Sequence, residues 1–521
     1  MLTAGECSGS AAEMFRVLRP SGGIAQLGQP PGAAQPLSGE KLQAWLDADS
    51  VQATISDDQQ GVWARIERGP LPGAGQWSHM YGRADNSAFG GEELSGATGV
   101  DELEVQWLGR PGPRYQADRQ GRKPAPLSTN GRLYLQGLQR IVTLDAYNGV
   151  VLWSLEIPAL ERFNMPRDCS NWCADEDHLF AAIGGKCWRI DAATGAVSQM
   201  YDVIVGPQED WEYDWGYVAR HGDNILGSAV KKGTSHTNFW GHYDEGHYDA
   251  VEGAAAAKVC SDNLFAFSKK TGAIAWTYTD GVIINSTITI GAGRVYFVET
   301  RNAKVQASSS RRVSMPEMWL DQFLVALDVD SGAKVWEGPI DTVDGEAVIF
   351  LAHGQDRLVL VSSGGPPTGK KNQYGEVLKQ HYVYAYDPSN GDAQWETSFE
   401  WTRARKAEHM SRPVIVGETL FIRPHVLNLT TGELLPQRMP VAGGCGTYCA
   451  AAHGLFMRHE NITMWNAESE QLSSWPRLRS SCWLSTIPAA GMLLSPEGGG
   501  GCSCGIWMET SIGFMPVAQR P

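Results

Sequence analysis

No apolar run in the chain approaches the ~20 residues that a membrane-spanning helix needs. No positively charged stretch followed by an apolar one opens the sequence, so no signal peptide is read from it. Basic residues are in the minority: 43 Lys and Arg face 58 Asp and Glu, a formal net charge of −15. That balance argues against non-specific binding to nucleic acid or anionic lipid. The short basic clusters Arg311-Arg312 and Arg403-Ala404-Arg405-Lys406 read as solvated loops. None of the 10 cysteines lies in a Cys-x-x-Cys-His motif, which leaves covalent c-type haem unsupported. No two cysteines are adjacent.

What the chain has is glycine, 59 of them, and tryptophan, 19. Many of both fall in one recurring unit. Leu144-Asp145-Ala146-Tyr147-Asn148-Gly149-Val150-Val151-Leu152-Trp153 reads as a strand, a tight turn and a return strand. Asp145 can accept backbone N–H bonds in the turn, and Gly149 supplies a positive φ. The same spacing recurs at Asp191 and Gly195, Asp328 and Gly332, and Asp387 and Gly391. Ser268 stands in that relation to Gly272, and Asn428 to Gly432. A tryptophan follows the glycine by four at Trp153, Trp276, Trp336 and Trp395. An apolar strand precedes each unit, as in Arg132-Leu133-Tyr134-Leu135. A fixed strand-strand-turn-strand pattern at blade-like intervals implies radially repeated four-stranded sheets.

This unit resembles the repeat of PQQ-like, quinoprotein-dehydrogenase-like β-propellers, also found in outer-membrane assembly lipoproteins. The expected fold is all-β: an eight-bladed propeller, with seven as the alternative count, behind a short N-terminal α/β remnant. Trp77-Ser78-His79-Met80-Tyr81 followed by Asp85-Asn86-Ser87-Ala88 resembles the opening segment of fused propellers of the planctomycete type. The propeller is expected over residues 77–521. Val105-Gln106-Trp107 is a lone strand, expected to close the ring against the C-terminal strands. The seventh blade is degenerate, with Glu470 where the glycine should stand.

Residues 1–50 read differently. A helix carrying Met14, Phe15, Val17 and Leu18 is stopped by Pro20 and feeds a strand near Ile24. The segment resembles the C-terminal end of a class I S-adenosylmethionine-dependent methyltransferase. The glycine-rich turn that would hold the cofactor has no counterpart here, so S-adenosylmethionine is not expected to bind. Residues 51–76 are expected to form a linker, on the strength of Gly69-Pro70-Leu71-Pro72-Gly73.

Two constellations could carry chemistry. His236, His242 and His247 lie beside Asp244, Glu245 and Asp249 in a long insertion. They could ligate a metal, although their spacing matches no metal motif and a polar-aromatic surface loop is the plainer reading. Cys445, Cys449, Cys482, Cys502 and Cys504 cluster in the last two blades. Disulfides, a thiolate metal site and buried free thiols all fit, in that order for the first two. The planctomycete-type propellers end with a similar Cys-Trp and Gly-Cys-x-Cys series. Cys502 and Cys504 are therefore expected close to at least one of Cys445, Cys449 and Cys482.

Active quinoprotein dehydrogenases of the resembled fold use adjacent cysteines, a Ca²⁺ site and an Asp base. The missing Cys-Cys pair argues against PQQ. The expectation is a binding or scaffold module that meets a protein or glycan on a loop-lined face. A quinone- or metal-dependent oxidoreductase and a methyltransferase fusion lacking its catalytic half are the alternatives. The resemblance implies a periplasmic or secreted location. Calorimetric titration of the full chain with S-adenosylmethionine should show no micromolar binding; a micromolar isotherm would overturn the remnant reading.

Overall fold

A computed structural model describes residues 7, 9–109, 124–137, 139–160, 170–208, 210–235, 257–343, 345, 348–364, 369–371, 379–400, 412–440, 446–480, 483–496 and 510–519. Beyond a small N-terminal unit, these residues build eight sheets, seven with four strands and one with seven. The first sheet holds Leu127–Thr129, Arg132–Gly137, Arg140–Asp145 and Val151–Glu156, paired in chain order. The eighth pairs Ile487–Ala489, Met492–Ser495 and Ser511–Pro516 with Leu103–Gly109. The expected closure is therefore present: Gly513 lies opposite Trp107, so strands from the two ends share one sheet. The architecture is an all-β propeller.

The repeat is a device for joining one sheet to the next. In the first turn, Gly149 N donates to Asp145 O at 2.9 Å, and Asp145 Oδ1 accepts from Tyr147 N at 2.8 Å. Gly149 has φ +71°, and Gly195, Gly272, Gly332, Gly391 and Gly432 are also left-handed. The tryptophan then reaches across to the following sheet. Trp107 Nε1 donates to Ala146 O at 2.8 Å, and Trp153 Nε1 to Ala192 O at 2.9 Å. Trp276 donates to Val329 O at 3.1 Å, Trp336 to Pro388 O at 3.0 Å and Trp395 to Leu429 O at 3.0 Å. Each acceptor is the residue after the turn's Asp145, Asp191, Asp328, Asp387 or Asn428. Each ring lies on the turn glycine. A Cβ on Gly195 would sit 2.8 Å from Trp153 Cδ2, and one on Gly391 2.7 Å from Trp336 Cε3. Glycine is thus required twice, for backbone sign and for room.

Three junctions depart from this lock. Gln199 replaces the tryptophan between the second and third sheets and lies against Gly272. Pro436 stands four residues after Gly432, so no indole leaves the sixth sheet at that position. In the seventh turn, Asn466 Oδ1 accepts from Ser469 N at 2.8 Å, and Glu470 takes φ +55° in glycine's place. Trp475 instead stacks on Phe514 of the eighth sheet, with ring centroids 4.0 Å apart.

The N-terminal unit differs from expectation at its end. Helix Ala11–Val17 and strand Gly23–Gln29 lie where expected, but Val17 is exposed and Met14 and Phe15 are only partly buried. Residues 51–76 are not all linker. Thr54–Asp58 and Gly61–Arg68 form a hairpin that joins Gly23–Gln29 in the order first, third, second. Ala64 and Ile66 bury against Leu42 and Leu46 of helix Gly39–Ala48. Interleaved Arg65 and Glu67 gave the strand a polar look. Only the stretch after Arg68 is connector. The unit docks on the first sheet: Arg19 pairs with Asp145 and donates to Gly131 O at 2.8 Å, and Ser21 Oγ meets Tyr147 OH at 3.1 Å.

Gly195→Ala should cost about 2–4 kcal/mol, combining left-handed strain with overpacking against Trp153. Gly222→Ala is the control: φ is +54° and nothing lies within 4 Å, so only strain of about 1 kcal/mol applies. Chemical denaturation of both variants checks this; equal losses would remove the ring contact from the account.

Candidate functional site

One strip of chain, Gly75–Glu92, visits the innermost strand of every sheet. Ala490 N, in the turn after the eighth sheet's first strand, donates to Gly75 O at 2.9 Å. Trp77 exchanges two backbone bonds with Ser128 of the first sheet, at 2.8 and 2.9 Å. Ala174 N of the second donates to Ser78 O at 2.9 Å, and Arg220 N of the third to His79 Nε2 at 3.2 Å. Ile290 N of the fourth reaches Ala84 O at 2.8 Å, and His353 N of the fifth reaches Asp85 O at 2.9 Å. Ile415 N of the sixth bonds Ser87 O at 2.9 Å, and Ala450 N of the seventh bonds Ala88 O at 2.9 Å. The contacts follow the sheets in order, so the strip is a belt inside the ring. Asn86 adds Nδ2 bonds to Ile288 O at 2.9 Å and Leu351 O at 3.2 Å. Glu92 accepts at Oε2 from Gly75 N and Gly491 N, both at 2.8 Å, fastening the belt's two ends to the eighth sheet.

Inside the belt lies Tyr81. The guanidinium of Arg412 sits 3.9 Å from its ring centroid and 4.2 Å from that of Phe350. Trp483 Nε1 donates to Tyr81 OH at 3.3 Å. All four side chains are buried. Arg412 donates through Nη2 to Ser286 O at 3.3 Å, while Nε and Nη1 have no hydrogen-bond partner among the described residues. The charge is held mainly by aromatic faces. A buried guanidinium with two unpartnered nitrogens is suited to receive an oxyanion.

The belt also carries titratable groups. Burial, aided by Arg220 and His221, takes His79 down to about 3, so the ring is neutral and free to accept from Arg220 N. Burial pushes the carboxyls of Asp85 and Glu92 upward. Among the described residues, Asp175, Asp177 and His178 come close enough to share a cation. Lys269 Nζ at 2.8 Å and Arg220 Nε at 3.4 Å already supply positive charge to Asp175. That cluster is a structural ion network.

Of the candidate residues from the sequence, the repeat set forms the locks described above. Cys449 is buried, and its Sγ donates to Thr486 O at 3.0 Å. Cys445, Cys482, Cys502 and Cys504 lie outside the described residues, as do His236, His242 and His247. Cys449 is a free thiol, like Cys173, Cys187 and Cys260. The sequence reading marked the belt motif but not its task, and it missed Arg412 altogether. The only signal for the belt is its Trp-x-His and Asp-Asn spacing.

The fold defines a class, the β-propeller of four-stranded sheets. Within that class the repeat is similar to the PQQ-like one: residues 230–433 match the family model described as outer membrane protein assembly factor BamB. No curated protein matches the chain. Among solved structures it is similar to quinohemoprotein alcohol dehydrogenase from Comamonas testosteroni, at 11% identity and TM-score 0.51, covering 84% of this chain and 80% of that one. Quinohemoprotein alcohol dehydrogenase ADHIIG from Pseudomonas putida HK5 gives 10% identity and TM-score 0.49 over 85% and 80%. BamB from Moraxella catarrhalis gives 12% and 0.36 over 71% and 81%. At these identities the likeness is one of fold.

The folded pKa of His79 lies below its unfolded value. Its neutral form therefore contributes stability that is present above pH ~6.5. That stability is lost as pH falls toward about 3. Asp85 and Glu92 act in the opposite sense, losing stability as pH rises. His79→Gln should therefore flatten the fall in melting temperature between pH ~6.5 and ~4. Parallel curves for the two proteins would refute the assignment.

Proposed function

We propose that this chain is a binding or scaffold propeller that carries no quinone. The observation that supports the reading is the packing inside the belt, where the buried side chains of Tyr81, Arg412 and Trp483 contact one another. The match of residues 230–433 to a family described as an assembly factor points the same way. The donor set does not fit a quinone site of the resembled dehydrogenases, since no adjacent cysteine pair exists. The partner is a protein or glycan that meets a loop-lined face, and the net charge of −15 disfavours nucleic acid. No helix among the described residues is long and apolar enough to cross a membrane. A periplasmic or secreted setting fits the assembly-factor likeness. The N-terminal unit, helix and strand followed by a hairpin, is read as the remnant of a methyltransferase end. The count of eight blades rests on the eight sheets and the belt's order of contacts.

A quinone- or metal-dependent oxidoreductase is the second reading. Arg412 is the observation for it, because an anionic cofactor group would satisfy Nε and Nη1. Titrating the full chain with PQQ and Ca²⁺, followed by absorbance, separates the two. The binding-module reading expects no saturable change. Stoichiometric uptake that Arg412→Leu abolishes would establish the second.

A further inference from the structure

The inter-sheet locks form a template. In each, an indole enters from the last strand of one sheet, and its N–H meets the carbonyl after the next sheet's turn Asp or Asn. In two of the five, an aromatic ring on the second strand of its own sheet flanks it: Tyr134 lies 6.3 Å from Trp153, and Tyr296 6.0 Å from Trp336. Between the sixth and seventh sheets the surroundings persist without the indole. Phe421 takes the place of Tyr134 and Tyr296 on the second strand, and Ala467 follows the turn residue Asn466. By count Pro436 stands at the tryptophan position, but it is exposed, and Leu435 is the residue of this strand that turns inward beside Gln437.

A cavity of about 310 Å³ remains there, lined among others by Phe421, Val426, Leu435, Gln437, Leu455 and Ala467. Its walls are mixed: Phe421, Val426, Leu435 and Leu455 are apolar, while Gln437, His453 and Asn466 are polar. The buried Oε1 of Gln437 has no hydrogen-bond partner among the described residues, so the unmet polar demand includes an acceptor. Asn466 is already spent, donating to His453 O at 3.0 Å and accepting from Ser469 N. Glu470, with a side chain where other turns have glycine, bars a guest ring from the pose of the internal locks. The guest must lie inward of it, toward Ala467 and His453. A flat apolar group that carries one N–H donor meets these terms, and the protein itself places that group at five equivalent junctions.

We propose that the junction of the sixth and seventh sheets is a docking slot for a tryptophan side chain of a partner polypeptide. The indole stacks on Phe421 and donates its N–H to Gln437 Oε1 or to the Ala467 carbonyl. This deepens the binding-module reading and rests on it for the partner. The slot itself is independent of what fills the ring's interior. Quinone uptake would therefore sink that reading while leaving the slot open to test.

The test is a ¹⁹F NMR titration of the full chain with N-acetyl-5-fluorotryptophan amide. Saturable binding is expected, at least tenfold weaker in Gln437→Leu and abolished in Leu435→Trp/Glu470→Gly, where the chain's own indole fills the slot. That double variant should also melt higher than the parent. If it does not fold, the comparison with Gln437→Leu decides alone. Absence of saturation, or equal affinity across folded variants, overturns the proposal. So does a concentration-dependent dimer that the double variant loses, since the occupant would then be a second copy of this chain.

Discussion

The structure depends on a strip of backbone hydrogen bonds at its centre. Each sheet's innermost strand ends inside the ring, where an unpaired N–H would be costly. The belt from Gly75 to Glu92 supplies an acceptor to each in turn. It does so with carbonyls, with one imidazole and with one carboxylate. A bond of this kind contributes only about 1 kcal/mol net, but leaving a buried donor unmet costs about 1–3 kcal/mol. Eight sheets brought to one strip thus share a common requirement, and the interior packing of Tyr81 on Arg412 follows from where the belt runs.

The tryptophan locks act at the other radius. They fix the outer strand of one sheet to the turn of the next, and glycine makes the approach possible. Where the lock is missing, the consequences differ. Gln199 fills one junction, Trp475 and Phe514 stack across another, and the junction after the sixth sheet keeps a cavity. Loss of a repeat residue is structurally silent in two places and leaves a slot in the third. The contrast separates drift in the repeat from a site.

The locks were legible in the sequence because they are local. Asp145 and Gly149 satisfy each other within one turn, and a Trp at fixed distance marks the return strand. Ring closure was legible for a related reason: Trp107 ends a strand with no neighbour nearby in sequence. The belt was not legible as such. Its acceptors are main-chain carbonyls of Ser78, Ala84, Ser87 and Ala88, whose side chains say nothing of the task. Their donors stand as far away as Ala450. Arg412 escaped notice because a buried cation held by Tyr81 and Phe350 has no sequence signature beyond a lone arginine before a strand. The hairpin Thr54–Asp58 and Gly61–Arg68 was hidden by charges on its exposed face.

For function, the central claim is that the belt makes the eight sheets one cooperative body. Hydrogen–deuterium exchange of the donating amides tests it most directly. Ala174, Ile290, His353, Ile415, Ala450 and Ala490 are scattered along the chain yet share one acceptor strip. The account predicts that these amides exchange at one common slow rate and lose protection together in Asn86→Ala, whose side chain joins the belt to two sheets. Protection lost only in the fourth and fifth sheets, with the others unchanged, would contradict it.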